Sequence, residues 1–190
     1  MIGLLVGALS FVMVYLSDLL SVRKITGAKQ IFLLFFVILQ GYALYLACSD
    51  VERFSLPAAL PWIGWFLLVI SVPLLIYSLF IEIPFNKAYI KSGISHQLVT
   101  TGTYALARHP WVLWYTLFLI SLVLITRSKI LALATPVWVF MDVLAALIQE
   151  NFVLMRVFPD YEQYRHETPM LIPTKRSIAS FVGNFKNRRR

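Results

Sequence analysis

The chain is a run of apolar blocks, most of them long enough to cross a bilayer, separated by short polar segments. A hydrocarbon core takes about 20 consecutive apolar residues as a helix. Five blocks read as spans, the fourth the shortest: about Ile2 to Leu20, Ile31 to Ala47, Leu56 to Ile81, Trp111 to Ile125, and Ile130 to Ile148. The last turns amphipathic and continues toward Phe158. Inside a bilayer every backbone polar group must be satisfied within the protein, which leaves helices as the form these blocks can take. The expected fold is therefore an all-α integral membrane protein of five transmembrane helices. A cytosolic loop and a C-terminal amphipathic helix complete it. Composition agrees: 59% of the 190 residues are hydrophobic and 14% are charged, where soluble domains carry about 25%.

We divide the chain as one membrane domain, 1–190. Residues 1–92 hold three generic spans and the start of a loop, 93–173 hold the chemistry, and 174–190 read as a basic tail. Pro57, Pro61 and Pro73 lie along the third span, where neighbouring helices can satisfy a freed carbonyl. Arg127-Ser128-Lys129 is a tight connection that folds spans four and five into an antiparallel hairpin. Met1-Ile2-Gly3-Leu4 lacks a basic leader and reads as the start of a retained span. A disulfide framework is excluded by the single cysteine, Cys48.

Charge sets the expected orientation. Arg23, Lys24, Lys29, Lys87, Lys91, Arg108, Arg156, Arg165, Lys175, Arg176, Lys186 and Arg188, Arg189 and Arg190 fall on one side, fourteen of the 17 Lys and Arg. Arg53, Arg127 and Lys129 fall on the other. The richer side is expected in the cytoplasm, with the N-terminus outside. The net charge of +8 is then explained by topology and anionic lipid, and nucleic acid is not an expected partner.

The segment from His96 to Pro110 carries the densest chemistry. It places two His, an Arg, a Tyr and a Gly within fifteen residues at a bilayer edge. Val99-Thr100-Thr101-Gly102 reads as a turn, with Gly102 free to take positive φ or admit a close approach. Pro110 opens the fourth helix, where its missing N–H costs nothing. The free N–H groups there favour an anionic ligand group. Glu150, at the cytosolic end of the fifth span, is an ionisable group at membrane depth and so either paired or functional. Asp142 lies two turns earlier and could share its face. Tyr161 and Tyr164 share one helix face, as surface anchors or as a lid.

These elements, in this order, resemble the isoprenylcysteine carboxyl methyltransferase family and related phospholipid methyltransferases. The loop pattern is matched by His96, Leu98, Val99, Gly102, Tyr104, Arg108, His109 and Pro110. Glu150, Phe158, Tyr161, Tyr164 and Pro169 follow. The resemblance spans about Gly93 to Pro173. It implies S-adenosylmethionine as cofactor, with His96, Gln97, Leu98, Val99, Tyr104, His109, Pro110 and Glu150 binding it. Arg108 and Glu150 would be the catalytic pair. No metal is implied. The chain departs from the pattern at Trp111-Val112, Asn151 and Pro159. It also departs at Ala146, where the isoprenylcysteine enzymes carry an arginine that engages the acceptor. The expected activity is methyl transfer to a lipophilic acceptor, either a prenylcysteine-type or other lipid-linked carboxylate or another lipid with an amino headgroup, in a prokaryotic cell membrane. The alternatives are a sterol-reductase-like enzyme using NADPH and a non-enzymatic scaffold or transporter subunit.

Overall fold

A computed structural model describes residues 1–22, 26–83 and 98–187. The described residues are mostly helical, and they form no strand. The long helices are α1 (Ile2–Val22), α2 (Thr26–Cys48), α3 (Leu60–Ile76), α4 (Pro110–Thr126) and α5 (Lys129–Ile148). A π-helical turn, Tyr77–Ile81, extends α3, and a second, Gln149–Leu154, carries α5 into α6 (Met155–Val157). Two further helices follow, α7 (Tyr161–Glu167) and α8 (Lys175–Asn187).

Four helical stretches are long and apolar enough to cross a membrane: Ile2–Leu20, Ala28–Cys48, Leu60–Ile81 and Lys129–Val157. α4 is apolar but shorter, with 17 residues. The outward faces expose large apolar side chains such as Leu5, Trp62, Phe66, Val69 and Phe140, which suits a lipid environment.

Small residues let the helices approach. Gly3 of α1 lies close against Ala43, Leu46 and Ala47 of α2. The ring of Trp138 from α5 fills the space a side chain at Gly7 would take, and its indole N–H donates to the Leu4 carbonyl at 3.1 Å. Gly64 of α3 meets Ser121 and Leu124 of α4. Without a hydrophobic drive between helices in lipid, such close backbone contact is what holds them. The core gathers Phe11, Ala43, Ala47, Leu119, Leu131, Ala134 and Trp138.

Three boundaries differ from the sequence reading. α2 begins at Thr26, five residues early, so Lys29 lies within the helix. Asp18 on α1 lies close enough to act on that charge. α3 begins at Leu60 and not Leu56, leaving Pro57 outside and Pro61 in the first turn, where proline fits. Much of the expected basic tail, 174–190, is the helix α8. Thr174 and Ser177 cap its start reciprocally: the Thr174 N–H donates to Ser177 Oγ at 2.9 Å, and the Ser177 N–H to Thr174 Oγ1 at 3.2 Å.

The α4–α5 connection is as tight as expected. Arg127 takes the left-handed conformation (φ 57°) and Ser128 caps α5 by accepting from the Leu131 N–H. This end of the bundle and the end holding Glu150 lie at opposite ends of α5.

Candidate functional site

The site is built at the meeting of the α4 start, the π-turn after α5, and α7. His96 and Gln97 lie outside the described residues. Leu98 and Val99 are partly buried in irregular chain leading to a 3-10 turn, Gly102–Ala105. Gly102 has φ +62°, as its sequence suggested, and the group that approaches it belongs to the chain. A Cβ at position 102 would collide with the carboxylate of Glu82. Glu82 accepts from the Thr103 N–H at 2.7 Å and from the Thr103 hydroxyl. It thereby ties the end of the extended α3 to the turn.

Tyr104 is buried, its hydroxyl donating to the Ser78 carbonyl at 3.1 Å, while its own carbonyl accepts from Tyr164 at 2.6 Å. Arg108 and His109 form the last residues before α4, and Pro110 is its first. The backbone N–H groups of Arg108 and His109 donate to the carbonyls of Pro169 and Met170 at 2.9 and 3.1 Å. The loop and the segment after α7 are therefore zipped together.

At the centre lies Glu150, 2% exposed. Its Oε1 accepts from Arg108 Nη2 at 3.0 Å and pairs in charge with Arg165 Nε at 3.2 Å. Its Oε2 accepts from Arg108 Nε at 3.3 Å and from His109 Nε2 at 3.1 Å. Arg108 spends Nη1 on the carbonyls of Arg165 and Thr168 at 2.7 and 2.8 Å. A carboxylate offers about four acceptor sites; three hydrogen bonds and the Arg165 ion pair surround Glu150 and leave it little spare capacity. The widened π-turn, a form that concentrates at functional sites, is the local structure that presents it.

His109 is wholly buried. Burial pushes its imidazole below the ordinary value. The hydrogen bond and charge of Glu150 pull it back, and Arg108 pushes it down again. The neutral ring donates through Nε2, because the carboxylate can only accept. Nδ1 is then an acceptor, and it has no hydrogen-bond partner among the described residues. The edge of the ring meets Trp111 at 4.8 Å.

Tyr161 and Tyr164 turn inward and are both buried, edge to face at 5.8 Å. Burial raises the titration of both phenols far above the ordinary range. The charge of Glu150 adds to the effect on Tyr161, and Tyr161 adds to that on Tyr164. The Tyr161 hydroxyl lies close enough to Glu150 and Arg108 for both to act on it, without a well-formed hydrogen bond to either. Two buried groups with hydrogen-bonding capacity to spare thus border the ion cluster. With His109 neutral, the cluster carries two cations against one anion.

A cleft of about 250 Å³ opens beside it, lined by Thr100, Thr101, Tyr164, Thr168, Arg176 and Ser180 among others. It shares Tyr164 and Thr168 with the cluster. Among the described residues no group of three or more His, Cys, Asp or Glu could hold a metal.

The structure therefore brings Tyr104, Arg108, His109, Pro110 and Glu150 together, with Tyr161 and Tyr164 over them. Three contributors escaped sequence reasoning. Glu82 gave one signal, an acid ending an apolar block. Arg165 gave another, following the paired tyrosines. The carbonyls of Arg165 and Thr168 gave none, because backbone acceptors carry no residue signature.

A family model described as "Protein of unknown function (DUF1295)" matches residues 17–168. Over 85 residues the chain is 32% identical to the nickel-cobalt-cadmium resistance protein NccN of Alcaligenes xylosoxydans xylosoxydans, covering 45% of this chain and 40% of that protein. The match thus takes in less than half of that relative's length. No solved structure matches the chain. The family match takes in α2 through α7 and every member of the buried cluster, and the chain belongs to the DUF1295 family.

Proposed function

We propose that the chain is a five-span membrane methyltransferase that uses S-adenosylmethionine and acts on a lipophilic acceptor at the cytosolic face. The observation that carries this reading is the convergence of Arg108, His109, Glu150 and Tyr161, from parts of the chain far apart in sequence, into one buried cluster. It leaves His109 Nδ1 unpartnered, and a polar cleft that includes Tyr164 and Thr168 adjoins the cluster. The residues resembling the methyltransferase motif are the ones the fold gathers. α4 supplies the fifth span: its 17 residues reach roughly 26 Å at 1.5 Å each, and it packs along both α3 and α5. The Lys and Arg excess at the site end supports a cytosolic site.

The residues fit the cofactor. S-adenosylmethionine brings an activated methyl group on a sulfonium, so positioning and exclusion of water matter more than acid–base chemistry. His109 would accept a neutral donor, such as a ribose hydroxyl, at Nδ1. The surplus positive charge of Arg108 and Arg165 over Glu150 suits a carboxylate. Glu150 itself holds the two arginines and the imidazole in place. Tyr104 and Pro110 shape the wall, and His96, Gln97, Leu98 and Val99 would close it from the loop.

The relative's name speaks of nickel, cobalt and cadmium resistance. The cluster is a poor cation site, because two guanidinium groups already neutralise its one carboxylate. Thermal unfolding of detergent-purified protein separates the readings, since a ligand of the native state raises the midpoint. S-adenosylmethionine and S-adenosylhomocysteine should raise it, and NADPH, Ni²⁺, Co²⁺ and Cd²⁺ should not. His109→Ala, which leaves the Arg108–Glu150 pair intact, should lose the shift. A response to NADPH or to the metal ions alone, or to nothing, overturns the reading.

A further inference from the structure

Among the described residues, three carboxylic acids lie within the membrane-length helices, and the chain supplies cations to two. Glu150 has Arg108 and Arg165. Asp18 on α1 faces Lys29 on α2. Asp142 on α5 differs: no ammonium or guanidinium among the described residues acts on it. Its Oδ2 is shielded and has no hydrogen-bond partner. Its electrostatic neighbours are two phenols, Tyr15 of α1 and Tyr115 of α4.

The surroundings of Asp142 are organised by a polar chain across the bundle. Ser10 Oγ of α1 donates to Gln40 Oε1 of α2 at 2.7 Å, and Gln40 Nε2 donates to the Tyr115 hydroxyl at 2.6 Å. The Tyr15 hydroxyl donates to the Met141 carbonyl at 3.0 Å, one residue from Asp142. Four helices therefore contribute polar groups near Asp142, and none of them hydrogen-bonds its Oδ2. An ionisable group at this depth is costly and calls for a partner. Asp142 lies eight residues before Glu150, roughly 12 Å along the helix. The small buried Ala145 and Ala146 lie between them.

We propose that Asp142, flanked by Tyr15 and Tyr115, is a headgroup subsite for a lipophilic amine, deeper in the bundle than the Arg108–His109–Glu150 cluster. The proposal deepens the methyltransferase reading and rests on it for the fate of the amine. An ammonium entering from the lipid meets the carboxylate as its counter-ion. Transfer of one proton from nitrogen to the carboxylate turns the ion pair into a neutral amine and a carboxylic acid, freeing the nitrogen lone pair. A carboxylate headgroup would instead meet a like charge, and Ala146 offers it no cation.

The test uses the full chain in phosphatidylcholine nanodiscs with dodecylamine, dodecanol and dodecanoate as probes. Dodecylamine should raise the unfolding midpoint, and the other two should not. Asp142→Asn should weaken amine binding on the order of tenfold or more, the loss of one charged hydrogen bond. It should keep the S-adenosylhomocysteine response. Equal responses to amine and alcohol, preference for dodecanoate, or an unchanged amine response in Asp142→Asn overturns the subsite. Infrared difference spectra of the unmodified protein decide the matter if that variant does not fold. Amine binding should alter a carboxyl band, and no change in that region overturns the proposal. The S-adenosylhomocysteine arm tests the cofactor reading by itself. An amine site without that response leaves Asp142 a cation subsite and removes the methyl transfer.

Discussion

The two ends of the helical bundle both bury polar groups, and they do so by different means. At the α4–α5 turn the groups are neutral or exposed, and they close on backbone. Ser128 Oγ donates to the Ala47 carbonyl at 2.7 Å while accepting from the Leu131 N–H at 3.1 Å. Arg53 reaches the Thr126 and Cys48 carbonyls from the solvent side. At the Glu150 end, full charges are buried against each other, and His109 keeps a free acceptor. The first arrangement ties helices together at low risk. The second is costly to assemble and worth assembling where a ligand needs fixed charges. Buried ion pairs are weak evidence for stability in themselves, so stability alone does not account for the Glu150 end.

The largest expected effect tests that contrast directly. Glu150→Ala leaves Arg108 buried without its carboxylate and should cost about 3–5 kcal/mol of stability, read as a lowered unfolding midpoint. A cost no greater than that of a helix cap would break the comparison. Ser128→Ala removes the cap and one buried hydrogen bond and should cost about 1–2 kcal/mol. It should leave the response to S-adenosylhomocysteine unchanged, because the site lies at the other end of α5. A lost response would show that the two ends are coupled.

The smallest effect is a pH dependence. His109 binds its proton less readily in the folded chain than the ordinary value of 6.5. Below that value the unfolded chain therefore binds more protons, and stability rises with pH. The contribution is complete above pH 6.5 and is lost as pH falls through the lower folded value. The midpoint measured between pH 5 and 7.5 should show this slope. His109→Gln should flatten it. A slope of opposite sign would mean that the imidazole is charged in the native state.

Much of this architecture was legible in the residues. Hydropathy located every long helix, since the bilayer imposes length and apolarity together. Pro110 marked the start of α4, because proline tolerates only that position without cost. Gly102 announced its positive φ. The polar loop and Glu150 were each conspicuous against an apolar background, and helix direction placed them at one end. Less legible were features settled by tertiary pairing. The early start of α2 places Lys29 inside the helix, where Asp18 of a different helix acts on it. The ion cluster at Glu150 depends in part on Arg165, which reads as a surface residue until α7 folds back. The π-turn at Gln149–Leu154 has no signature in side-chain pattern, because it changes the backbone register beneath a continuous apolar run.

The meeting of Gly102 with Glu82 has a consequence for descent. The dependence runs one way: the carboxylate needs the bare backbone at position 102, while the positive φ favours glycine there whatever residue stands at 82. Chance substitution strikes one codon at a time, so a change at 102 meets a penalty at once, and a change at 82 forgoes only the bonds to Thr103. Across the lineages that inherited this chain, glycine at 102 should outlast the acid at 82. The acid should occur only where that glycine stands.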